Sequence, residues 1–218
     1  VIWHISVSGN LSIDSILNMP ASRTVNPKRQ AILEAATTLF LERGFSGTSM
    51  SELLRLVGGS KTTIYTHFGD KAGLFTAVVD ELLEATVAFS DSQILSSLSL
   101  RDALVEIAVQ HLDVVLSDRY IRLIRIVAAE VDQFPALGKA FYDHGPGLSY
   151  TNFKTFLEHR VMEENLKIAN PSLAVDMFFG TLLHREVLAR IYGVTAAQRN
   201  HKAKATSVAD EFIGLYGA

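Results

Sequence analysis

Residues Val57–Phe75 read VGGSKTTIYTHFGDKAGLF: a glycine pair, a short polar run, and a second turn at Gly69-Asp70. Ser60 is placed to cap a helix from Lys61 to His67, since its hydroxyl can accept from a free N–H of the first turn. Only Ile64 and Phe68 are clearly apolar there, and their i, i+4 spacing puts both on one side. Such a helix packs through a thin seam and leaves Lys61, Thr62, Thr63, Tyr65 and His67 as hydrogen-bonding groups on its free surface. The preceding helix is built on Met50, Leu53, Leu54 and Val57, with Ser49 and Glu52 spaced as a capping box. Two short helices joined by a glycine turn, the second polar and thinly anchored, make a helix-turn-helix. Anchors at Leu53, Val57, Ile64 and Phe68 fix the angle at which the second helix can enter a DNA major groove, roughly 12 Å wide.

Outward from this stretch the pattern is helical almost throughout. Asn26-Pro27 offers a cap and a first-turn proline to a helix whose stripe is Ile32, Ala35, Ala36, Leu39 and Phe40, and Gly44 can end it. Gly69-Asp70 opens a long helix with Leu74, Phe75, Val78, Val79, Leu82 and Leu83 inward. Ser99 with Asp102 opens a helix through Leu116, and Asp118 precedes IRLIRIVAAEVDQF, which Pro135 interrupts. A helix carrying Phe141 and Tyr142 leads to the turn Gly145–Gly147, and another runs from about Leu148 to Glu164. Asn170-Pro171 starts the strongly apolar SLAVDMFFGTLLHREVLARIY, and Thr195 with Gln198 caps a last helix ending near Tyr216. No stretch alternates as a strand does, so the expected fold is all-α.

With 218 residues the chain can hold one large domain or two small ones. It has no cysteine, which excludes disulfides, thiolate catalysis and Cys-ligated zinc and suits a reducing cytoplasm, the expected location. No apolar run approaches the roughly 18 to 20 residues that cross a bilayer, so no membrane partner is expected. The first stretch lacks a basic start; residues 1–22 are expected to be a leader, with Met19 as an alternative start. The expected division is 23–72 for the helix-turn-helix domain and 73–218 for a second helical domain. From Pro20 to Phe75 there are seven Lys/Arg against four Asp/Glu, in a chain whose net charge is −3. A basic segment on an acidic body points to a polyanion partner at one end. Catalysis is not expected: His111 and Asp113 are too close on one helix to converge, and HREVL at 184–188 is not HExxH. No cofactor or metal ligand set is visible.

The runs ILEAATTLFLERGFSGTSM (Ile32–Met50) and SELLRLVGGSKTTIYTHFGDKAGLF (Ser51–Phe75) resemble the DNA-binding domain of the TetR family of transcriptional regulators. The resemblance extends from Asn26 to about Leu83. It implies that Lys61, Thr62, Thr63, Tyr65 and His67 face double-stranded DNA, and that Thr48 and Lys71 hold phosphates. Leu54 stands where the family usually has a small residue, and Gly59 where it has a valine-like one.

Residues from Ser90 onward resemble the family's ligand-binding and dimerisation domain, and RLIRIVAAEVDQFPALGKAFYDHGP (Arg122–Pro146) is similar to a run of the AefR-like regulators. This implies a homodimer through the last two helices, with Ala174, Met177, Gly180, Thr181 and Ile191 at the interface. Candidate ligand contacts are His111, Arg125, Glu130 and His184, walled by Phe134, Phe153 and Phe178. The implied function is a repressor that leaves a palindromic operator when a small-molecule inducer binds. An activator, or an all-α ligand-binding or interaction module whose helix-turn-helix has lost DNA, stays open at this point.

Overall fold

The computed structural model describes residues 26–58, 60–90, 95, 97–164, 166–194 and 200–217, the side chains at 83–90 excepted. The stretch 1–22 with Met19, the turn residue Gly59, and Thr195 and Gln198 lie outside the described residues. In chain order the helices are α1 Pro27–Arg43, α2 Met50–Val57, α3 Lys61–Phe68, α4 Lys71–Ser90 and α5 Leu100–Val115. They continue as α6 Asp118–Glu130, α7 Pro135–His144, α8 Pro146–Glu164, α9 Pro171–Ile191 and α10 His201–Tyr216. The described residues contain no strand, and no helix among them is long and apolar enough to cross a membrane.

Local chemistry sets most of these boundaries. The Asn26 side chain accepts from the backbone N–H groups of Lys28 and Arg29 at 2.9 and 3.4 Å, and Pro27 occupies the first turn of α1. The helix stops at Gly44, whose φ of 76° suits glycine. A second constraint acts on that residue: a Cβ there would lie 2.7 Å from Oε1 of Glu130. Ser49, Ser60 and Ser99 each accept from a backbone N–H of the first turn of α2, α3 and α5. The last helix is capped by Asn200, which accepts from Ala203 N–H at 3.2 Å.

Two apolar clusters hold the helices. In the first, Ile32, Ala36 and Phe40 of α1 meet Leu53 of α2, Ile64 and Phe68 of α3, and Leu74, Phe75 and Val78 of α4. Leu123 and Val127 of α6 and Leu137 of α7 complete it, so this core draws on residues far beyond the helix-turn-helix. Phe40, Phe45 and Phe75 pack with ring centroids 5.4 to 5.8 Å apart, and Phe45 continues to Phe134 at 5.0 Å. In the second, α5 lies along α10, with Leu104, Leu112, Leu157, Phe178 and Phe212 at its centre. Leu54 is half-buried against the first cluster, so its bulk is absorbed in the packing of α2.

Candidate nucleic-acid interface and ligand cavity

Helix α3 is held by two residues. Ile64 is 1% exposed and Phe68 8%, while Lys61, Thr62, Tyr65 and Thr66 are exposed on the opposite side. These four form one face at i, i+1, i+4, i+5. Thr66 was not among the expected contacts, although its i, i+4 relation to Thr62 was the available signal. Thr63 and His67 are half-buried. The Thr63 hydroxyl lies 3.1 Å from that of Ser60, within the helix cap, and the His67 ring sits 6.0 Å from Phe68. The motif is braced from α1: Lys28 Nζ donates to the Val57 carbonyl at 2.5 Å, and the Arg29 guanidinium lies over the Phe68 ring.

Two expected phosphate contacts are placed differently. Thr48 is 3% exposed, and its hydroxyl donates to the Gly44 carbonyl at 2.9 Å, because the turn between α1 and α2 needs that acceptor satisfied. Lys71 folds back so that Nζ stands 4.4 Å above the Phe45 ring. Burial lowers its pKa from the ordinary lysine value, with the Glu130 charge opposing part of that shift. The Thr48 hydroxyl is thus spent on the turn, and the Lys71 ammonium lies against Phe45.

Glu130 and Phe134 lie at the junction between the helix-turn-helix and α6–α7, and neither lines the cavity between α5, α6, α8 and α9. The Glu130 carboxylate accepts from the N–H groups of Phe45 and Ser46, both at 2.7 Å, and from the Ser46 hydroxyl at 2.6 Å. One carboxylate at the end of α6 thus fastens the turn that joins α1 to α2. Arg125 is spent on backbone as well: Nε donates to the Ile191 carbonyl at 3.0 Å, and the guanidinium also donates to that of Arg190, closing the end of α9.

A cavity of about 330 Å³ lies between α5, α6, α8 and α9. It brings together His111 and His184 from the expected ligand set, and Gly180 and Ile191 from the expected interface set. Phe153 and Phe178 stand behind the wall in the core, 2% and 1% exposed, and pack on Phe179, which does line it. Tyr120, Ser149 and Tyr150 also face it and were not foreseen. Burial, with a smaller contribution from Tyr150, pushes the Tyr120 hydroxyl well above its ordinary pKa.

His111 is the most constrained polar group of this cavity. Nδ1 lies 3.0 Å from the Ile107 carbonyl, which can only accept, so Nδ1 carries the proton. Burial takes the imidazole pKa down to about 4, the backbone bond offsetting a little of the shift. The ring is therefore neutral, and its buried Nε2 has no protein partner.

Along α9, Leu173, Met177, Gly180, Thr181, His184 and Leu188 are exposed on one face. Nothing lies within 4 Å of where a Gly180 Cβ would stand. Ala174 is not part of that face. It is fully buried in the chain's own second cluster, one position round the helix from Leu173. Ile191 is half-buried at the cavity.

Residues 102–218 match the family described as "AefR-like transcriptional repressor, C-terminal domain", and residues 32–78 match "Bacterial regulatory proteins, tetR family". The regulator RutR of Escherichia coli is 39% identical over 67 residues, a segment that spans 31% of this chain and 32% of that protein. A solved TetR-family regulator of Mesorhizobium loti is 26% identical with a TM-score of 0.74, covering 91% of this chain and all of the other. The flavonoid-responsive regulator FrrA is also 26% identical, with a TM-score of 0.71, covering 88% of this chain and 98% of the other.

Proposed function

The chain belongs to the TetR family of transcriptional regulators, and on that premise we propose that it represses from a palindromic operator as a homodimer and leaves it when a small molecule fills the cavity. The open face of α3 carries this reading. Lys61, Thr62, Tyr65 and Thr66 project from a helix whose two anchors are buried, the arrangement a groove-reading helix requires. A twofold dimer sets two such helices about 34 to 36 Å apart, one turn of DNA.

The exposed face of α9 supplies the second copy's contact. Leu173, Met177 and Leu188 are apolar there, and the bare Gly180 lets a partner helix approach. Gly180, His184 and Leu188 belong to this face and to the cavity wall alike, so the partner protomer closes the mouth of the cavity. Helix α6 joins the two ends of the mechanism: Tyr120 and Ile124 border the cavity, and Glu130 grips the turn at Phe45 and Ser46. A ligand that shifts α6 moves that turn and with it the seat of α2 and α3. Release requires the ligand to favour the DNA-incompetent arrangement, typically by about 1 to 3 kcal/mol.

The test is selection of DNA from a random or genomic pool by the purified protein, followed by Lys61→Ala and Tyr65→Ala on the recovered site. One inverted repeat, bound by the parent and lost in both variants while they remain folded dimers, is the expected result. Affinity should also fall steeply with salt, as phosphate contacts release counterions. Undiminished binding by both variants would overturn the assignment of α3.

A further inference from the structure

Resting on the reading of the cavity as the regulatory site, we propose that its ligand is a neutral, flat aromatic molecule that donates a hydrogen bond, typically from a phenolic hydroxyl, to Nε2 of His111.

Three features of the cavity converge on that class. The first is the orphaned acceptor. His111 spends Nδ1–H on the Ile107 carbonyl of its own helix, and the ring is 5% exposed and lines the cavity. Its remaining nitrogen has a bare lone pair and no protein partner. A buried acceptor left unmet is costly, and a ligand that donates to it recovers what a merely apolar ligand leaves lost. The imidazole stays neutral down to about pH 4, so Nε2 acts as an acceptor and not a donor across the ordinary range.

The second is the absence of charge. Among the described residues the lining contains no Lys, Arg, Asp or Glu. An ionised ligand entering it would give up hydration with no counter-charge in return.

The third is shape. Phe179 lies 4.7 Å from the imidazole, and Tyr150 is parallel to Phe179 to within 4° at 5.0 Å. Phe179 is itself buried between His111 and Tyr150, so the half-buried Tyr150 is the ring of this aromatic wall that a flat ligand can meet while its hydroxyl points at Nε2. A cavity of about 330 Å³ falls in the range of small-molecule sites.

The experiment measures binding of p-phenylphenol, its methyl ether p-methoxybiphenyl and the charged p-phenylbenzoate, together with a monohydroxyflavone and its methyl ether. The full-length dimer is used, as the parent, His111→Leu and His111→Gln. In the parent each phenol should bind about tenfold tighter than its ether, the size of one recovered hydrogen bond, and the benzoate weakest. The ratio should fall to about one in His111→Leu, which has no acceptor, and persist in His111→Gln, which has a carbonyl oxygen. Equal binding of phenol and ether in the parent, an unchanged ratio in a folded His111→Leu, or tightest binding by the benzoate would overturn the proposal and leave the cavity a ligand site. Binding of none of the five probes by a folded parent would overturn both the proposal and the reading of the cavity.

Discussion

Helices α3 and α9 each keep one face that the other described residues do not cover, and the two faces ask for opposite partners. On α3 the free face is Lys61, Thr62, Tyr65 and Thr66, groups that water solvates well when nothing else is bound. On α9 the inward side is filled by Val175, Phe178, Phe179 and Leu182, and the outward side still shows Leu173, Met177 and Leu188. Apolar surface in water costs about 25 cal/mol per Å² until it is covered. A polar face can therefore engage and release its partner under control of salt and ligand. The apolar face is the one that the proposed second copy would cover.

The contrast breaks most sharply if the apolar face is charged. Met177→Asp with Leu188→Asp should give a folded monomer by light scattering. Operator affinity should drop by roughly 10³-fold, because two linked half-site contacts become one. A double variant that stayed dimeric would remove α9 from the interface.

The inward side of α9 offers the next test, since Phe179 closes on His111 there while the polar groups of α3 stay hydrated. An unfolded chain protonates His111 near 6.5, and the folded one only near 4. Between those values the unfolded state binds a proton that the folded state refuses. The stability this neutral ring retains above pH 6.5 is thus lost as pH falls toward 4, by about 3 kcal/mol at the lower end. His111→Leu should lose that much less over the same window, measured by urea unfolding of parent and variant at matched pH. Superimposable pH profiles would mean that His111 is not held neutral by its burial.

Glu130 connects the two regions, and its replacement sharpens the comparison between them. Glu130→Ala removes an acceptor from two backbone N–H groups and a hydroxyl, so unfolding free energy should fall by about 2 kcal/mol. The more telling readout is DNA affinity with and without a saturating ligand. The ligand-induced loss should shrink severalfold, since the grip of α6 on the turn has gone. An unchanged ratio would route the coupling elsewhere.

Glu130 also marks where the sequence stops being legible. The helix-turn-helix could be read because its signals are local. Ser49, Ser60, Gly44, Gly58 and Gly69 act on backbone within four residues of themselves, and the caps and stops stand at those residues. A carboxylate at the end of a helix that also carries Arg119, Arg122 and Arg125 looks equally like a ligand contact or a brace. Its partners here lie 84 and 85 positions away, a distance no periodicity encodes. The cavity was hidden for a related reason. In the run Met177-Phe178-Phe179 each residue turns by about 100°, so Met177 faces out, Phe178 enters the core and Phe179 lines the cavity. Only the positions of α5 and α8 decide which aromatic does which. His111 could be singled out as a candidate ligand contact, but that its Nε2 is the unmet atom follows from a bond to Ile107 within its own helix.

The smallest expected effect separates support of the reading helix from contact with DNA. A hydroxyl at Thr48, just ahead of α2, can serve a phosphate or the turn, and residue type alone does not choose. With the side chain 3% exposed and donating to Gly44, the turn takes it. Thr48→Val keeps the shape and deletes the bond, so stability should fall by about 1 kcal/mol while operator affinity stays within about twofold. Lys61→Ala, by contrast, should leave stability nearly unchanged and lower affinity, and its salt slope should flatten by about one if the ammonium meets a phosphate. A Thr48→Val protein as stable as the parent but clearly weaker on DNA would reverse this assignment. It would mean that the turn opens on DNA and that the grip of Glu130 on Phe45 and Ser46 belongs only to the unbound form.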